Sequence, residues 1–240
     1  MSRDAKPGKE NGRRNLTFGM LETLGQEIVT GQYEGGRFPT EDDLTARFAV
    51  SRTVTREAVK MLTAKGLLRA RPRAGTTVQP ASMWSVFDPD VLRWLLERKL
   101  SLDLLRHFNE LRSAIEPQAA ALAARAEPSS AYAAIEAGLQ RMEAAERGED
   151  DTLEADIAFH IAVLEASANP FFLQFRDMVA TALRTSIRFT NRYKGRSADV
   201  PAHRKVFTAI QARDPIAART AMTAIIGEVT EFITTAKIKQ

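Results

Sequence analysis

Cysteine is absent from this chain of 240 residues, which excludes disulfides, thiolate metal sites and cysteine nucleophiles. Histidine is scarce, with three residues in the whole chain, so few side chains are available for imidazole chemistry. No apolar run approaches the roughly 20 residues that a transmembrane helix needs. The first sixteen residues are polar and basic, which is not the pattern of a secretory signal. We therefore expect a soluble, cytoplasmic protein with no membrane partner.

The basic charge is concentrated at one end of the chain. Residues 1–80 contain 14 Lys and Arg against 9 Asp and Glu, whereas the remaining residues contain 20 against 21. The formal net charge of +4 at pH 7 therefore comes from the N-terminal third. A basic head on a neutral body is typical of a DNA-binding protein. Residues 1–15 are polar and basic, and we expect a disordered tail there.

Two short helices joined by a tight turn are predicted between Thr40 and Gly66. Thr40 is followed three residues later by Asp43, which is a capping-box-like start for the first helix. Ser51 is placed to cap the second helix, and Gly66 supplies the left-handed residue that ends it. Together with a first helix from about Leu16, these elements indicate a helix-turn-helix.

The N-terminal turns of the second of these helices contain Ser51, Arg52, Thr53 and Arg56. Arginine can pair bidentately with guanine in the major groove, and hydroxyl groups can meet phosphate. These residues are therefore candidate DNA contacts. The alternative from the residues alone is a solvated basic face on a core helix.

A short hairpin is predicted after the helix-turn-helix, with strands at 67–71 and 76–78 and a basic turn at 73–75. This arrangement is a winged helix. The stretches FPTEDDLTARFAVSRTVTREAVKMLTAKGLL and RAGTTV resemble the GntR family of bacterial transcription regulators over about fifty residues. The resemblance implies a DNA-binding domain at 16–80, working as a homodimer on a palindromic operator.

The resemblance also assigns DNA contacts residue by residue. It places them at Ser51, Arg52, Thr53 and Arg56, and at the wing tip with Arg73 and Gly75. Asp42 is a departure, because many members of the family have a DNA-contacting Arg at this position. We therefore expect the operator preference to differ.

The rest of the chain is predicted to be helical. Residues 81–88 are predicted to form a linker, and 89–240 a second domain of about seven antiparallel helices. Apolar spacing or capping patterns predict helices at 102–125, 129–147, 151–167 and 169–193, with others starting at Pro201 and Pro215. The fold class is therefore mostly α, with a winged helix-turn-helix followed by an all-α bundle.

Asp156 and His160 are four residues apart, so both project from one face of a helix. His203 lies on a later helix. A carboxylate and two imidazoles can form a site for a divalent metal. The alternative is a buried histidine hydrogen-bonded to a nearby aspartate.

The motifs ELRSAIEPQAA, DIAFHIAVLEASANP, AHRKVF and ARDPIAARTAM resemble the FCD effector domain of the FadR branch of GntR regulators. The resemblance implies that Asp156, His160 and His203 are three of four ligands to a divalent metal such as zinc. The fourth position is Ile225, which cannot coordinate, so either the site uses three protein ligands or metal binding is weakened or lost. Three protein ligands would leave positions open for water or effector.

Effectors of such domains are commonly small carboxylates or sugar acids. Arg112 matches a position that often contacts the effector carboxylate, and Arg188 is a second candidate by placement. Arg112 could instead form a buried ion pair with Glu116, one helical turn away. The stretch WSVFDPDVLRW and the missing fourth ligand are most similar to the subgroup of galactonate-operon repressors.

The sequence thus predicts a ligand-responsive transcription regulator, a repressor of a catabolic operon that senses a small organic or sugar acid such as galactonate. Two alternatives stay open. The first is a regulator on the same frame that responds to acyl-CoA or lipid and would need a long apolar tunnel. The second is a metalloenzyme that uses Asp156, His160 and His203, although no general base is evident beside them.

Overall fold

The computed structural model describes residues 7–34, 37–71, 75–98, 102–126, 130–181, 183–184 and 199–238. The chain divides into two compact units, Met1–Lys99 and Leu100–Gln240. Both units are mainly helical, and the first contains a two-stranded sheet. Within the described ranges, no helix combines the length and apolar character that crossing a membrane requires.

The first unit is a winged helix-turn-helix, as the sequence predicts. Its elements are α1 (Pro7–Val29), α2 (Glu41–Phe48), α3 (Arg52–Ala64), β1 (Leu68–Arg71), β2 (Gly75–Val78), a short 3-10 helix (Ala81–Met83) and α4 (Pro89–Arg98). β1 and β2 are antiparallel, with Leu68 opposite Val78 and Arg71 opposite Gly75. The predicted wing-tip residue Arg73 lies outside the described residues.

Helix α1 starts well before the predicted first helix. It begins at Pro7, inside the stretch 1–15 for which the sequence predicts a disordered tail. Proline is well suited to the first position of a helix, because its missing N–H has no partner there in any case. The later part of α1 packs on the core through Met20, Leu21 and Leu24. Because adding a turn to an existing helix is easier than starting a new one, the earlier turns can continue from this packed segment.

Local hydrogen bonds fix where α2 and α3 begin, and a glycine fixes where α3 ends. The Thr40 hydroxyl accepts from the Asp43 N–H, and the Asp43 carboxylate accepts from the Thr40 N–H, which confirms the predicted capping box. Ser51 caps α3 by accepting from Val54 N–H. Gly66 has φ of +76°, and a Cβ there would lie 2.3 Å from the Met83 carbonyl oxygen. Only glycine therefore fits this exit from α3.

Helix α4 belongs to the first unit. Val91 and Trp94 are buried in the same hydrophobic core as α1 and α3. Lys65, at the end of α3, lies 2.7 Å from Asp88 and 2.8 Å from Asp90. The predicted division put residues 89–240 together, whereas the structure packs 89–98 with the winged helix-turn-helix. The reason is that the apolar face of α4 covers α1.

The second unit contains the remaining helices. They are α5 (Leu102–Arg125), α6 (Ser130–Glu146), α7 (Thr152–Ala166), α8 (Pro170–Leu173), α9 (176–181 and 183–184), α10 (Val200–Gln211) and α11 (Pro215–Ile238). The prediction of one long helix over 169–193 is wrong, because Gln174 and Phe175 form a turn between α8 and α9. Residues 185–193 of that prediction lie outside the described part of the chain.

The core of the second unit brings α5, α7 and α10 together. Helix α5 packs against α7, α10 and α11, and its small buried residues Ala119, Ala120 and Ala123 allow close approach. Helix α6 approaches α7 closely at Gly138, where an added Cβ would lie 2.9 Å from the Phe159 Cα. The helix α7 is therefore packed between α5 and α6.

Replacing Gly138 by Ala should destabilise the second unit by about 1–3 kcal/mol, because the new methyl group meets backbone that cannot move aside. Gly227→Ala is the matched control. Gly227 is an exposed glycine of α11, and a methyl group added there would meet no other atom within 4 Å. That change should stabilise the helix by up to ~1 kcal/mol. Urea unfolding of both variants measures the difference, and equal stabilities would contradict the close approach of α6 and α7.

Candidate functional site

Asp156, His160 and His203 come together inside the second unit. Asp156 and His160 lie one turn apart on α7, and His203 lies on α10. One ligand atom from each side chain lies within 4.8 Å of the others. All three residues are buried, at 5%, 1% and 2% exposure. The predicted meeting of these three side chains is thus found in the structure.

Hydrogen bonds fix which nitrogen of each imidazole faces the cluster. His160 Nδ1 lies 2.5 Å from Glu116 Oε2, and His203 Nδ1 lies 2.7 Å from the Asp199 carbonyl oxygen. These acceptors take the Nδ1 protons, so each ring turns its Nε2 toward the cluster, and in a neutral ring that nitrogen carries a lone pair. The two Nε2 atoms lie 3.4 Å apart. His203 Nε2 is 3.2 Å from Asp156 Oδ1, and His160 Nε2 is 3.9 Å from it.

These separations fit a small divalent metal. Two nitrogens bound to zinc at 2.0–2.1 Å with tetrahedral geometry lie about 3.4 Å apart. The Nε2–Nε2 edge and the His203–Asp156 edge match this value, and the His160–Asp156 edge is about half an ångström longer. Two neutral imidazoles whose lone pairs face each other at 3.4 Å repel unless a proton or a cation lies between them. The donor set of two nitrogens and one carboxylate oxygen suits zinc and similar ions.

The charges around the cluster also favour a cation. Burial by itself raises the pKa of Glu116, but the charges of Arg112 and His160 outweigh it and lower the pKa to about 2. Burial likewise raises the pKa of Asp156, and His160 and His203 bring it below its usual value. Burial lowers the pKa of His203, but its hydrogen bond with Asp156 raises it overall. Arg112, Glu116 and Asp156 together have one net negative charge in a buried space, which favours a positive charge there, either on a protonated imidazole or on a bound cation.

Arg112 is held by its own helix. Its Nε lies 2.5 Å from Glu116 Oε1, and its Nη2 lies 3.3 Å from Glu116 Oε2 and 3.4 Å from the His160 ring nitrogens. The ion pair that the sequence left as an alternative is therefore present. None of these contacts uses Nη1.

Ile225 and Arg188 are the other residues that the sequence analysis named for this site. Ile225 is buried on α11 in the hydrophobic core of the second unit, together with Met222. Its side chain has no atom that can bind a metal. Phe159 packs edge-on against both histidines, with ring centroids 5.9 Å from His160 and 5.0 Å from His203. Arg188 lies outside the described residues.

The candidate DNA face lies on α3. Ser51, Arg52, Thr53 and Arg56 are all exposed. Arg52 Nη2 lies 3.2 Å from Asp42 Oδ1, and Arg56 Nε lies 2.9 Å from Glu41 Oε2. Gly75 is exposed at the start of β2 with φ of +80°. The arginines thus face solvent as predicted, but each contacts a carboxylate of α2.

Sequence reasoning missed several of these contacts. It did not predict the hydrogen bond from His160 to Glu116, which joins α7 to α5. It also missed the Asp199 carbonyl that fixes the His203 ring. A signal was available for the second contact, because Asp199 precedes His203 by four residues at a helix start. The first contact crosses the bundle, and no spacing within the chain encodes it.

Comparison with known proteins gives the family of each unit. Residues 20–78 match the gntR family of bacterial regulatory proteins, and residues 108–228 match the FCD domain. The transcriptional regulator YieP of Escherichia coli K12 is 35% identical over 217 residues, covering 89% of this chain and 94% of YieP. The galactonate operon transcriptional repressor of the same organism is 35% identical over 221 residues, covering 90% and 96%.

The fold also has a solved counterpart. The structure of Lar, which controls the expression of the Listeria monocytogenes agr system, superposes with a TM-score of 0.65 at 16% identity and covers 98% of this chain and 99% of that one. The matched families and relatives are regulators of transcription, so the metalloenzyme alternative is not retained. This chain belongs to the GntR family of transcriptional regulators, with a winged helix-turn-helix followed by an FCD domain.

Proposed function

We propose that this regulator represses a catabolic operon and responds to a small organic or sugar acid, such as galactonate, through a divalent metal held by Asp156, His160 and His203. The observation that supports this most strongly is the convergence of two Nε2 atoms and one carboxylate oxygen in a buried space. The metal would supply open coordination positions for the carboxylate of an effector.

Residues beside the cluster would supply the protein's own contacts with the effector. Arg112 supplies one terminal nitrogen for the carboxylate, while Glu116 keeps the guanidinium and the His160 ring in place. The fork of an arginine suits a carboxylate partner. A relative that is 35% identical is named the galactonate operon transcriptional repressor, which supports a sugar acid as the class of ligand.

Regulation then requires that the effector favour one state of the protein. An acid that binds the second unit better in the state that cannot bind operator shifts the population toward that state. We propose that the chain acts in the cytoplasm as a homodimer on a palindromic operator, because two-fold symmetric sites are common for helix-turn-helix proteins. Arg52 and Arg56, with Ser51 and Thr53, are the proposed contacts on α3, and Arg73 and Gly75 those on the wing.

A response to acyl-CoA or lipid is the alternative on the same frame. It would require a long apolar tunnel. A groove of about 800 Å³ does lie along α6, α10 and α11, but its lining includes Glu143, Arg147, Arg204 and Lys205. A charged, open groove does not favour an acyl chain. Buried ionisable side chains at Asp156, His160 and His203 would also have no role in such a tunnel.

Alanine variants of the three proposed ligands test the sensor. Asp156→Ala, His160→Ala and His203→Ala should each weaken zinc binding by at least about tenfold, because each remaining pair holds the metal poorly. Each variant should still bind operator DNA, but the effector acid should no longer release it from that DNA. The measurements are metal titration by competition with a chelating dye and gel shift with and without galactonate and related acids.

The structural alternative predicts a different pattern. If these side chains only form structural hydrogen bonds, each variant should have a lower melting temperature. The effector acid should still release each variant from operator DNA. Equal effector binding by calorimetry with and without metal would end the metal-mediated proposal. Two chains bound per palindromic duplex in the same samples would support the proposed dimer, and one chain would contradict it.

The contact between Glu116 and His160 provides a sharper test. Glu116→Gln keeps the shape of the side chain but removes the charge that orients the ring, and such changes typically weaken metal binding by about 10–100-fold. Glu110→Gln is the matched control, because Glu110 is an exposed acid on the same helix paired with Arg106. It should leave metal binding unchanged. Circular dichroism confirms that both variants are folded, and equal zinc affinities would contradict the role of Glu116.

A further inference from the structure

Two carboxylates of α2 contact the two arginines of α3 that face the proposed DNA site. Asp42 Oδ1 lies 3.2 Å from Arg52 Nη2, and Glu41 Oε2 lies 2.9 Å from Arg56 Nε. The four side chains are between 43% and 72% exposed. The contacts therefore occur on the open surface of the helix-turn-helix and not in its core.

The stability of the head does not explain these pairs. The capping of α2 is already carried out by Thr40 and Asp43. An exposed ion pair typically stabilises a fold by about 0–1 kcal/mol, and an acid near a helix N-terminus by about 0.3–1 kcal/mol. Neither Asp42 nor Glu41 is therefore needed for the head to fold.

The pairs also have a cost for DNA binding. Attraction to the phosphate backbone depends on how many phosphates the protein neutralises. Asp42 and Glu41 cancel the formal charges of Arg52 and Arg56, so this group of four side chains has no net charge. The carboxylates repel phosphate at the place where the recognition helix approaches the duplex. Binding to DNA of any sequence is weakened as a result.

The geometry leaves the arginines able to read bases. Arg52 Nη2 lies beside Asp42, and Arg56 donates to Glu41 through Nε, so that hydrogen bond uses neither of its terminal nitrogens. A guanidinium that is already held in place loses less side-chain freedom when it contacts a base. Bidentate pairing with guanine then requires the correct base rather than phosphate alone.

From this arrangement we propose that Asp42 is a specificity-determining residue that positions Arg52 for base recognition and lowers affinity for non-operator DNA, with Glu41 acting in the same way on Arg56. The proposal rests on DNA binding through α3. It concerns the ratio of operator affinity to non-operator affinity, which is the quantity that decides occupancy in a genome.

The experiment uses the full chain and a duplex enriched by the wild-type protein from a randomised library, with a scrambled duplex as the non-operator probe. Asp42→Asn should tighten binding to the scrambled duplex about threefold and lower the operator-to-scrambled ratio about fivefold or more. Repeating the enrichment with Asp42→Asn should relax the preference at one base pair of each half-site. Asp42→Glu, which keeps the carboxylate, should restore both quantities.

Glu57→Gln is the matched control for charge. Glu57 is an exposed acid on α3 next to Arg56 and makes no ion pair with a described residue. Its replacement changes the net charge of the head by the same amount as Asp42→Asn does. It should raise affinity for both duplexes alike and leave the ratio and the base preference unchanged.

A double-mutant cycle with Arg52→Ala tests whether Asp42 acts through Arg52. In the Arg52→Ala background, Asp42→Asn should no longer change the base preference, so the two changes should be strongly non-additive. Additive effects would overturn the proposed positioning. So would an unchanged ratio in Asp42→Asn, or equal effects of Asp42→Asn and Glu57→Gln. Failure of the wild-type chain to enrich any duplex would instead refute DNA recognition through α3 itself, and with it this inference.

Discussion

The buried carboxylate of Glu116 is the contact on which the proposed effector site depends. It accepts from Arg112 on its own helix and from His160 on α7. Because Glu116 accepts a hydrogen bond from Nδ1 of His160, Nε2 of that ring faces His203 and Asp156. Arg112 keeps Glu116 ionised in a place where burial alone would favour the neutral acid. One carboxylate thus orients a proposed ligand and a proposed effector contact together.

The acid–base pairs of the two units contribute differently to stability because their exposure to water differs. In the second unit the pair of Arg112 and Glu116 is almost fully buried, at 2% and 1% side-chain exposure, so losing one partner would leave a costly unpaired charge. In the head, Asp42 and Arg52 are largely exposed, so their pair contributes little to folding. Opening the exposed pair would therefore cost the head little stability.

Much of the fold could be predicted from local signals. Thr40 with Asp43, Ser51 and Gly66 fix the helix-turn-helix through hydrogen bonds and backbone conformations that depend on neighbouring residues. The spacing of Asp156 and His160 placed both on one face of a helix. The features that were not predicted depend on contacts between residues far apart in sequence, or on which of two units a helix packs against. Examples are the packing of α4 on α1, the turn at Gln174 that interrupts a predicted helix, and the contact of Glu116 with His160 across the bundle.

The central claim is that Asp156, His160 and His203 bind a divalent metal through their inward-facing atoms. X-ray absorption at the zinc edge, on protein reconstituted with zinc and then desalted, tests it most directly. The geometry predicts one equivalent of zinc with two imidazole nitrogens at about 2.0–2.1 Å and the remaining ligands oxygen. A shell of oxygen ligands without imidazole, or no zinc retained after desalting, would contradict the claim.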